Sequence, residues 1–221
     1  MRKRYVIGDI HGCLKTFLQL IEEIQPDHSD RVILLGDYIS KGPEPLLVLE
    51  AIKELESKTN LIALRGNHDQ FLLDYYSSPT TELEDQLIEQ GNEELLALDA
   101  PEKNKLFKLV SGFPLWHEDN ENIYVHAGLN FDHPNPFQDT FSLLNIRQMN
   151  YRPTLVNGKR IIHGHVPEHL DTIVDAIASE ERIVGLDNGC VYKNTPQLGN
   201  LVCLDLFENR IITVANVDDY T

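Results

Sequence analysis

The sequence predicts an α/β fold built on parallel strands, and two observations carry that reading. Over the first seventy residues, a short apolar run, a Gly-Asp or Gly-Asn loop and an amphipathic stretch succeed one another three times. Strands alternating with helices in this way imply βαβ crossovers and therefore a parallel sheet. Composition supports a packed core, with 42% hydrophobic and 24% charged residues among 221, ordinary for a globular chain. Such a length suits a single domain, 1–221, because one core can grow to about 250 residues before chains divide.

Each element can be justified in turn. Val6 and Ile7 form the first strand and open into Gly8-Asp9-Ile10-His11-Gly12. Leu14, Phe17, Leu18, Ile21 and Ile24 then recur at helical spacing. Residues 32–35 give the second strand, ending in Gly36-Asp37. A helix follows through Leu46, Leu49, Ile52 and Leu55, with Pro43 near its start, where a missing N–H is harmless. Residues 61–64 make the third strand, before Arg65-Gly66-Asn67-His68-Asp69. From about 77 to 113 the chain is acidic and rich in Leu and Glu, with Leu83, Leu87, Leu95, Leu96 and Leu98 in helical recurrence. We read it as a small helical cap whose charged side is most simply a solvated face. Beyond it strands predominate, at 123–125, 160–162, 172–175, 182–186, 201–206 and 210–214, several bounded by Gly, Asn or Asp as hairpin strands are. The last four residues, Asp218-Asp219-Tyr220-Thr221, read as a frayed tail.

Charge narrows the function. Nineteen Lys and Arg against thirty-five Asp and Glu leave −16, a field that repels nucleic acid and anionic membranes. An anionic substrate would then need a strong local positive source, and bound divalent cations are one. Three cysteines, Cys13, Cys190 and Cys203, are odd in number and lack CxxC spacing, which suits thiols in a reducing compartment. Only three apolar residues follow Met1-Arg2-Lys3-Arg4 before Gly8-Asp9, too few for a signal-peptide core, and no apolar run could span a bilayer. A cytoplasmic location is the expectation.

Five segments place Asp, His or Asn directly after strands: Asp9 and His11, Asp37, Asn67 and His68, His126, and His163 with His165. One such Asp is commonly a turn or cap residue, and one such His a surface or satisfied core residue. Five at equivalent strand ends exceed what capping requires, and ligands gather at the carboxyl ends of parallel strands. Carboxylate, imidazole and amide oxygen without thiolate suit Mn²⁺, Fe or Zn²⁺ in a catalytic rather than structural role. Paired ions in hydrolases sit about 3.5–4 Å apart and clamp a phosphoryl group. Asp37, from the middle of the three βα units, is the natural bridge between them.

The motifs Gly8-Asp9-Ile10-His11-Gly12, Gly36-Asp37-Tyr38-Ile39-Ser40-Lys41-Gly42, Gly66-Asn67-His68-Asp69, His126-Ala127-Gly128 and Gly164-His165 resemble, in order, those of the phosphoprotein phosphatase family of metallophosphoesterases. Bacterial and phage serine/threonine phosphatases and symmetrical diadenosine tetraphosphate hydrolases are the most similar subgroups. This resemblance implies a four-layer α/β/β/α sandwich with two divalent ions, Mn²⁺ foremost. One would be held by Asp9, His11 and Asp37, the other by Asp37, Asn67, His126 and His165. It further implies that His68 is the general acid and that Arg147 grips phosphate oxygens, although Asn145 stands where the family segment has Trp. Asp187 matches an Asp-x-Gly stretch that supports the site, while His163 stays outside the ligand set.

The second motif departs from the family pattern Gly-Asp-x-x-Asp-Arg-Gly, since Ser40 and Lys41 replace Asp and Arg. Ser40 can orient a ring nitrogen of His68 but carries no charge to support its proton. Lys41 keeps a phosphate-binding charge without the planar fork of Arg. Proton donation should therefore weaken, favouring good leaving groups. The expected function is a metal-dependent phosphomonoesterase acting on a phosphorylated protein or a small aryl phosphate. Symmetrical dinucleoside tetraphosphate hydrolysis and a weakly active metal-binding module are the alternatives.

Overall fold

The computed structural model describes residues 3–219. Three parallel strands, β1 (Arg4–Ile7), β2 (Arg31–Leu34) and β3 (Asn60–Ala63), alternate with helices α1 (Leu14–Ile24), α2 (Pro45–Glu56) and α3 (Asn67–Ser77). Pro45, not Pro43, sits at the first position of α2. Helices α4 (Thr81–Glu89), α5 (Glu93–Ala97) and α6 (Ala100–Ser111) form the cap. Then come β4 (Trp116–Glu118), β5 (Asn122–Val125), α7 (Thr140–Asn145), β6 (Arg160–His163), α8 (Leu170–Ala178), β7 (Ile183–Gly185), β8 (Asn200–Asp205) and β9 (Arg210–Ala215).

These strands make two sheets, ordered β3-β2-β1-β8-β9 and β4-β5-β6-β7. Strand alternation explains how they stack. Val6, Ile33, Val202 and Leu204 of one sheet share a core cluster with Tyr124, Ile162 and Val184 of the other. Tyr5, Ile7, Val32 and Leu34 point the opposite way, into a second cluster with Phe17 and Leu20 of α1, Leu49 and Ile52 of α2, and the cap's Leu87, Leu95, Leu106 and Val110. Ile123, Val125 and Ile161 turn outward to Leu143 of α7. Because side chains alternate between faces at a period of two, strands buried on both sides demand cover on both sides. Helix, sheet, sheet and helix are the resulting layers, as expected.

Two expectations fail. Residues 172–175 lie within α8, not in a strand: Thr-Ile-Val-Asp has strand composition, but Ile173 and Ile177 are buried four residues apart on one helical face. Asp218 is no frayed end. Its carboxylate is 1% exposed and accepts the backbone N–H groups of Lys15 (2.9 Å) and Thr16 (3.0 Å), capping the first turn of α1, where Cys13 offers no side-chain cap. Asp219 beside it is exposed and pairs with Lys15 (2.9 Å); Tyr220 and Thr221 of that expected tail, and Met1 and Arg2, lie outside the described residues. Among the described residues, no helix is long and apolar enough to cross a membrane.

Candidate metal centre

Loops leaving β1, β2, β3, β5 and β6 meet at the carboxyl ends of both sheets. Backbone bonds tie them together: Ile10 and His11 N–H donate to the Asp37 carbonyl (3.2 and 2.8 Å), and Gly164 N–H donates to the His126 carbonyl (2.8 Å). His11, Asp37, Ser40, Lys41 and His165 all adopt positive φ, between 49° and 73°. Left-handed backbone is uncommon outside glycine and persists only where surroundings over-determine it. Its concentration in these loops marks where the fold spends conformational freedom to aim side chains.

Asp37 is the hub. Its Oδ2 lies 3.6 Å from His11 Nε2 and 3.9 Å from His68 Nε2, and its Oδ1 lies 3.4 Å from His126 Nε2. Two groups of donor atoms that could hold a metal ion share it: His11, Asp37 and His68, and Asp37, His126 and His165. Asn67 Oδ1 stands 3.0 Å from both His126 Nε2 and His165 Nδ1. Asp9 is buried alongside but belongs to neither group. Its Oδ2 accepts the His165 N–H (3.0 Å), while its buried Oδ1 has no partner.

Hydrogen bonding shows that this arrangement fits cations. His126 Nδ1 is 2.9 Å from the Leu35 carbonyl and His11 Nδ1 is 3.0 Å from the Ile39 carbonyl, so each ring's N–H is committed there and each Nε2 carries a lone pair. The His126 lone pair faces the Asp37 carboxylate (3.4 Å) and the Asn67 amide oxygen (3.0 Å), acceptor against acceptor, which positive charge between them relieves, while the His11 lone pair faces Asp37 and meets the Lys41 ammonium. Burial is the first cause that drives His11 down to about 3 and His165 down to about 4, keeping both rings neutral and able to ligate. Burial also raises Asp9 well above the usual carboxylate range, reinforced by Asp187 and Asp37. Burial would raise Asp37 too, but the imidazoles of His126, His68 and His11 outweigh it and hold Asp37 below that range.

The other expected residues surround this centre. Lys41 Nζ is 3.0 Å from His11 Nε2. Arg147 is exposed just beyond α7, and its charge is felt at His165. Asp187 is buried and accepts the Gly189 N–H (2.7 Å). His163 is buried with Nδ1 3.0 Å from the Gly164 carbonyl, outside both metal groups. Ser40 does not orient His68: its hydroxyl accepts from Asn92 Nδ2 (2.9 Å) and its N–H donates to Asn92 Oδ1 (2.9 Å). A serine hydroxyl is shorter than the family's carboxylate, and the cap amide claims it.

Sequence reasoning gave no role to Asp69. Its carboxylate accepts three backbone N–H groups, from Asp37 (2.9 Å), Tyr38 (3.0 Å) and Gly66 (2.8 Å), binding the second and third site loops together. A signal existed, since an acid three residues after a helix-opening Gly matches half a capping box. Asn92, and Gln90 near it, whose carbonyl accepts the Lys41 N–H (2.6 Å), left no such signal, because only the folded cap brings them to the site.

A two-sheet α/β sandwich with a buried carboxylate shared by two imidazole clusters defines a metal-dependent phosphoesterase. Residues 3–198 match the model of the calcineurin-like phosphoesterase family, and the chain belongs to it. It is similar to the symmetrical bis(5'-nucleosyl)-tetraphosphatase of Nitrosospira multiformis, 33% identical over 133 residues, which cover 57% of this chain and 43% of that protein. It thus spans less than half the length of that relative. Among solved structures, one provisionally described as a diadenosine tetraphosphatase aligns with a TM-score of 0.71 at 20% identity, over 99% of this chain and 95% of the other. A serine/threonine phosphatase from Saccharomyces cerevisiae aligns at 0.61 and 16% identity, over 99% and 81%. At such identities the two structures speak for the fold.

Proposed function

We propose that this phosphoesterase hydrolyses dinucleoside polyphosphates, cleaving a phosphoanhydride and releasing nucleoside phosphates. The observation that carries the reading is the setting of His68. Its Nε2 faces Asp37 across 3.9 Å, yet no carboxylate stands beside its Nδ1, which has no hydrogen-bond partner. A proton donor so weakly supported suits a leaving group that needs little protonation. A nucleoside phosphate is a far weaker base than the alkoxide of serine or threonine. The sequence motifs alone put a phosphomonoester first, and the relatives named as symmetrical tetraphosphatases move the anhydride ahead of it.

In this reading Asp9, His11 and Asp37 hold one divalent ion, and Asp37, Asn67, His126 and His165 the other, with Mn²⁺ preferred over Fe or Zn²⁺ for this donor set. Two such ions supply positive charge against phosphoryl oxygens and lower the pKa of a water nucleophile. Arg147 grips phosphate bidentately from the His165 side, and Lys41 adds charge from the His11 side. Asp187 braces the loop beneath Asp9. His68 delivers the proton to the departing oxygen. These charges offset the acidic surface over the few ångströms that matter, and the cap residues nearest the site, Gln90 and Asn92, are neutral amides.

Aryl phosphomonoesters, phosphotyrosine included, share the good leaving group and form the second reading. Turnover by the Mn²⁺-loaded protein of diadenosine tetraphosphate, phosphotyrosine peptide, phosphoserine peptide and p-nitrophenyl phosphate separates them. We expect the dinucleotide to have the highest kcat/KM, with ADP as product. A tenfold or greater preference for either phosphopeptide would replace the proposal with a protein phosphatase. Metal binding without turnover of any of the four would leave a binding module.

A further inference from the structure

We propose that Gln90, on the turn between α4 and α5, is the positioning residue for His68, standing where this chain lacks the motif's usual Asp. This rests on the reading of His68 as proton donor and assigns the cap a part in it. His68 turns Nε2 toward Asp37, so Nδ1 points out of the opposite side of the ring, and that atom is buried without a partner. Gln90 Oε1 is also buried without a partner. One is a ring N–H when Nε2 faces the site, the other an amide acceptor, and a buried pair of complementary groups left apart is costly.

The backbone holds them in register. Lys41 N–H donates to the Gln90 carbonyl (2.6 Å), and Ser40 exchanges two bonds of 2.9 Å with Asn92, which is fully buried. Asn92 N–H and Nδ2 both donate to the Leu87 carbonyl (3.0 and 3.1 Å), closing the cap turn on itself. Ser40 and Lys41 are the residues with φ of 73° and 69°, so the cap clamps the strained part of the site loop. Burial lowers the His68 pKa from its ordinary value, and the neighbouring Gln90 side chain opposes that shift, so the two unpaired groups face one another. The ring also meets His11 edge-on at 4.9 Å and Phe71 at 6.0 Å, which fixes its plane and leaves its Nδ1 edge to Gln90.

The test uses Gln90→Met, which keeps length and removes the acceptor, and Gln90→Glu, which keeps the acceptor. Each Mn²⁺-loaded protein is assayed with aryl phosphates of rising leaving-group pKa. We expect Gln90→Met to lower kcat on the order of tenfold for the poorest leaving group, a part of the whole worth of a general acid. The best leaving group should change less than about twofold, and KM and metal content should hold. Gln90→Glu should restore the poor leaving groups. Equal loss across the series, or none, overturns the proposal. If the unaltered protein turns over no phosphoester, the hydrolase reading falls by itself, and positioning is then read from ¹⁵N-histidine NMR of the Mg²⁺-loaded protein. A slowly exchanging His68 Nδ1–H lost in Gln90→Met and kept in Gln90→Glu upholds it. The same signal in all three proteins overturns it.

Discussion

Gly66 and Gly164 show how much of this site is decided by single atoms. A Cβ on Gly66 would lie 2.1 Å from Asp37 Oδ1, and one on Gly164 would lie 2.0 Å from Asp9 Oδ1. Neither glycine has a positive φ, so neither is retained for backbone freedom. They are required because the Asp37 and Asp9 carboxylates, and at Gly66 also the Asp37 backbone nitrogen at 2.3 Å, occupy the space a side chain would take. Gly164→Ala, whose Cβ would meet only the Asp9 side chain, is therefore expected to fold while losing metal affinity by roughly 10- to 100-fold, the range found when residues supporting metal ligands are altered. Isothermal titration with Mn²⁺ checks this, and unchanged affinity would show that the Asp9 carboxylate does not serve as a ligand.

At the scale of elements, the start of α3 fastens the site. Asp69 holds three buried N–H groups drawn from two loops, which lose their acceptor when it is removed. Asp69→Ala should cost on the order of 3 kcal/mol, several unsatisfied donors partly relieved by relaxation. Asp69→Asn keeps an acceptor and should cost less; urea unfolding of the metal-free proteins measures both. Equal costs for the two variants would mean that the negative charge, not the acceptor, matters. Asp119, in the turn between β4 and β5, offers a pH test away from the site. Burial raises its pKa, but the N–H groups of Glu121 and Asn122, the Tyr124 hydroxyl and Arg4 together bring it below 3.8. The unfolded chain then binds its proton more readily, so this contribution is present above pH 3.8 and is lost as pH falls below it. Asp119→Asn should lower stability most in the neutral range and least below about pH 4, which flattens the acid fall, as urea midpoints between pH 3 and 7 would report.

What could be read in the chain follows the same physics. The three βα units were legible because each combines a periodic apolar stretch with a Gly-Asp or Gly-Asn loop. β4 was not, because Trp116-His117-Glu118 is three residues long and has no alternation to detect. α8 was misread because four strand-prone residues outweighed a nine-residue helical face. The residues of the metal centre were legible because their positions at strand ends repeat. Asp218, Asn92 and Gln90 were not, because the groups they meet, Thr16, Ser40 and the Lys41 N–H, lie far away in sequence and only tertiary packing introduces them.

Across the whole molecule, the centre is a concentration of buried polar groups that the fold tolerates because a cation can satisfy them. Metal that binds the folded chain and not the unfolded one must stabilise it by mass action. At Mn²⁺ a hundredfold above its dissociation constant, we expect about 2.7 kcal/mol of added stability and roughly 5–10 °C in Tm, reversed by chelation. Thermal unfolding with Mn²⁺ and with a chelator measures it. The net charge of −16 adds a salt dependence, since the tetraphosphate proposed as substrate would approach against that field. Its KM should fall as ionic strength rises from 0.01 to 0.15 M, with the Debye length shrinking from about 30 to 8 Å.

Anomalous diffraction at the manganese edge from crystals grown with Mn²⁺ addresses the centre itself. Two peaks are expected, one on each side of the Asp37 carboxylate, the first within coordinating distance of His11 and the second within coordinating distance of His126 and His165. A single peak, or peaks that do not share Asp37, would contradict the account.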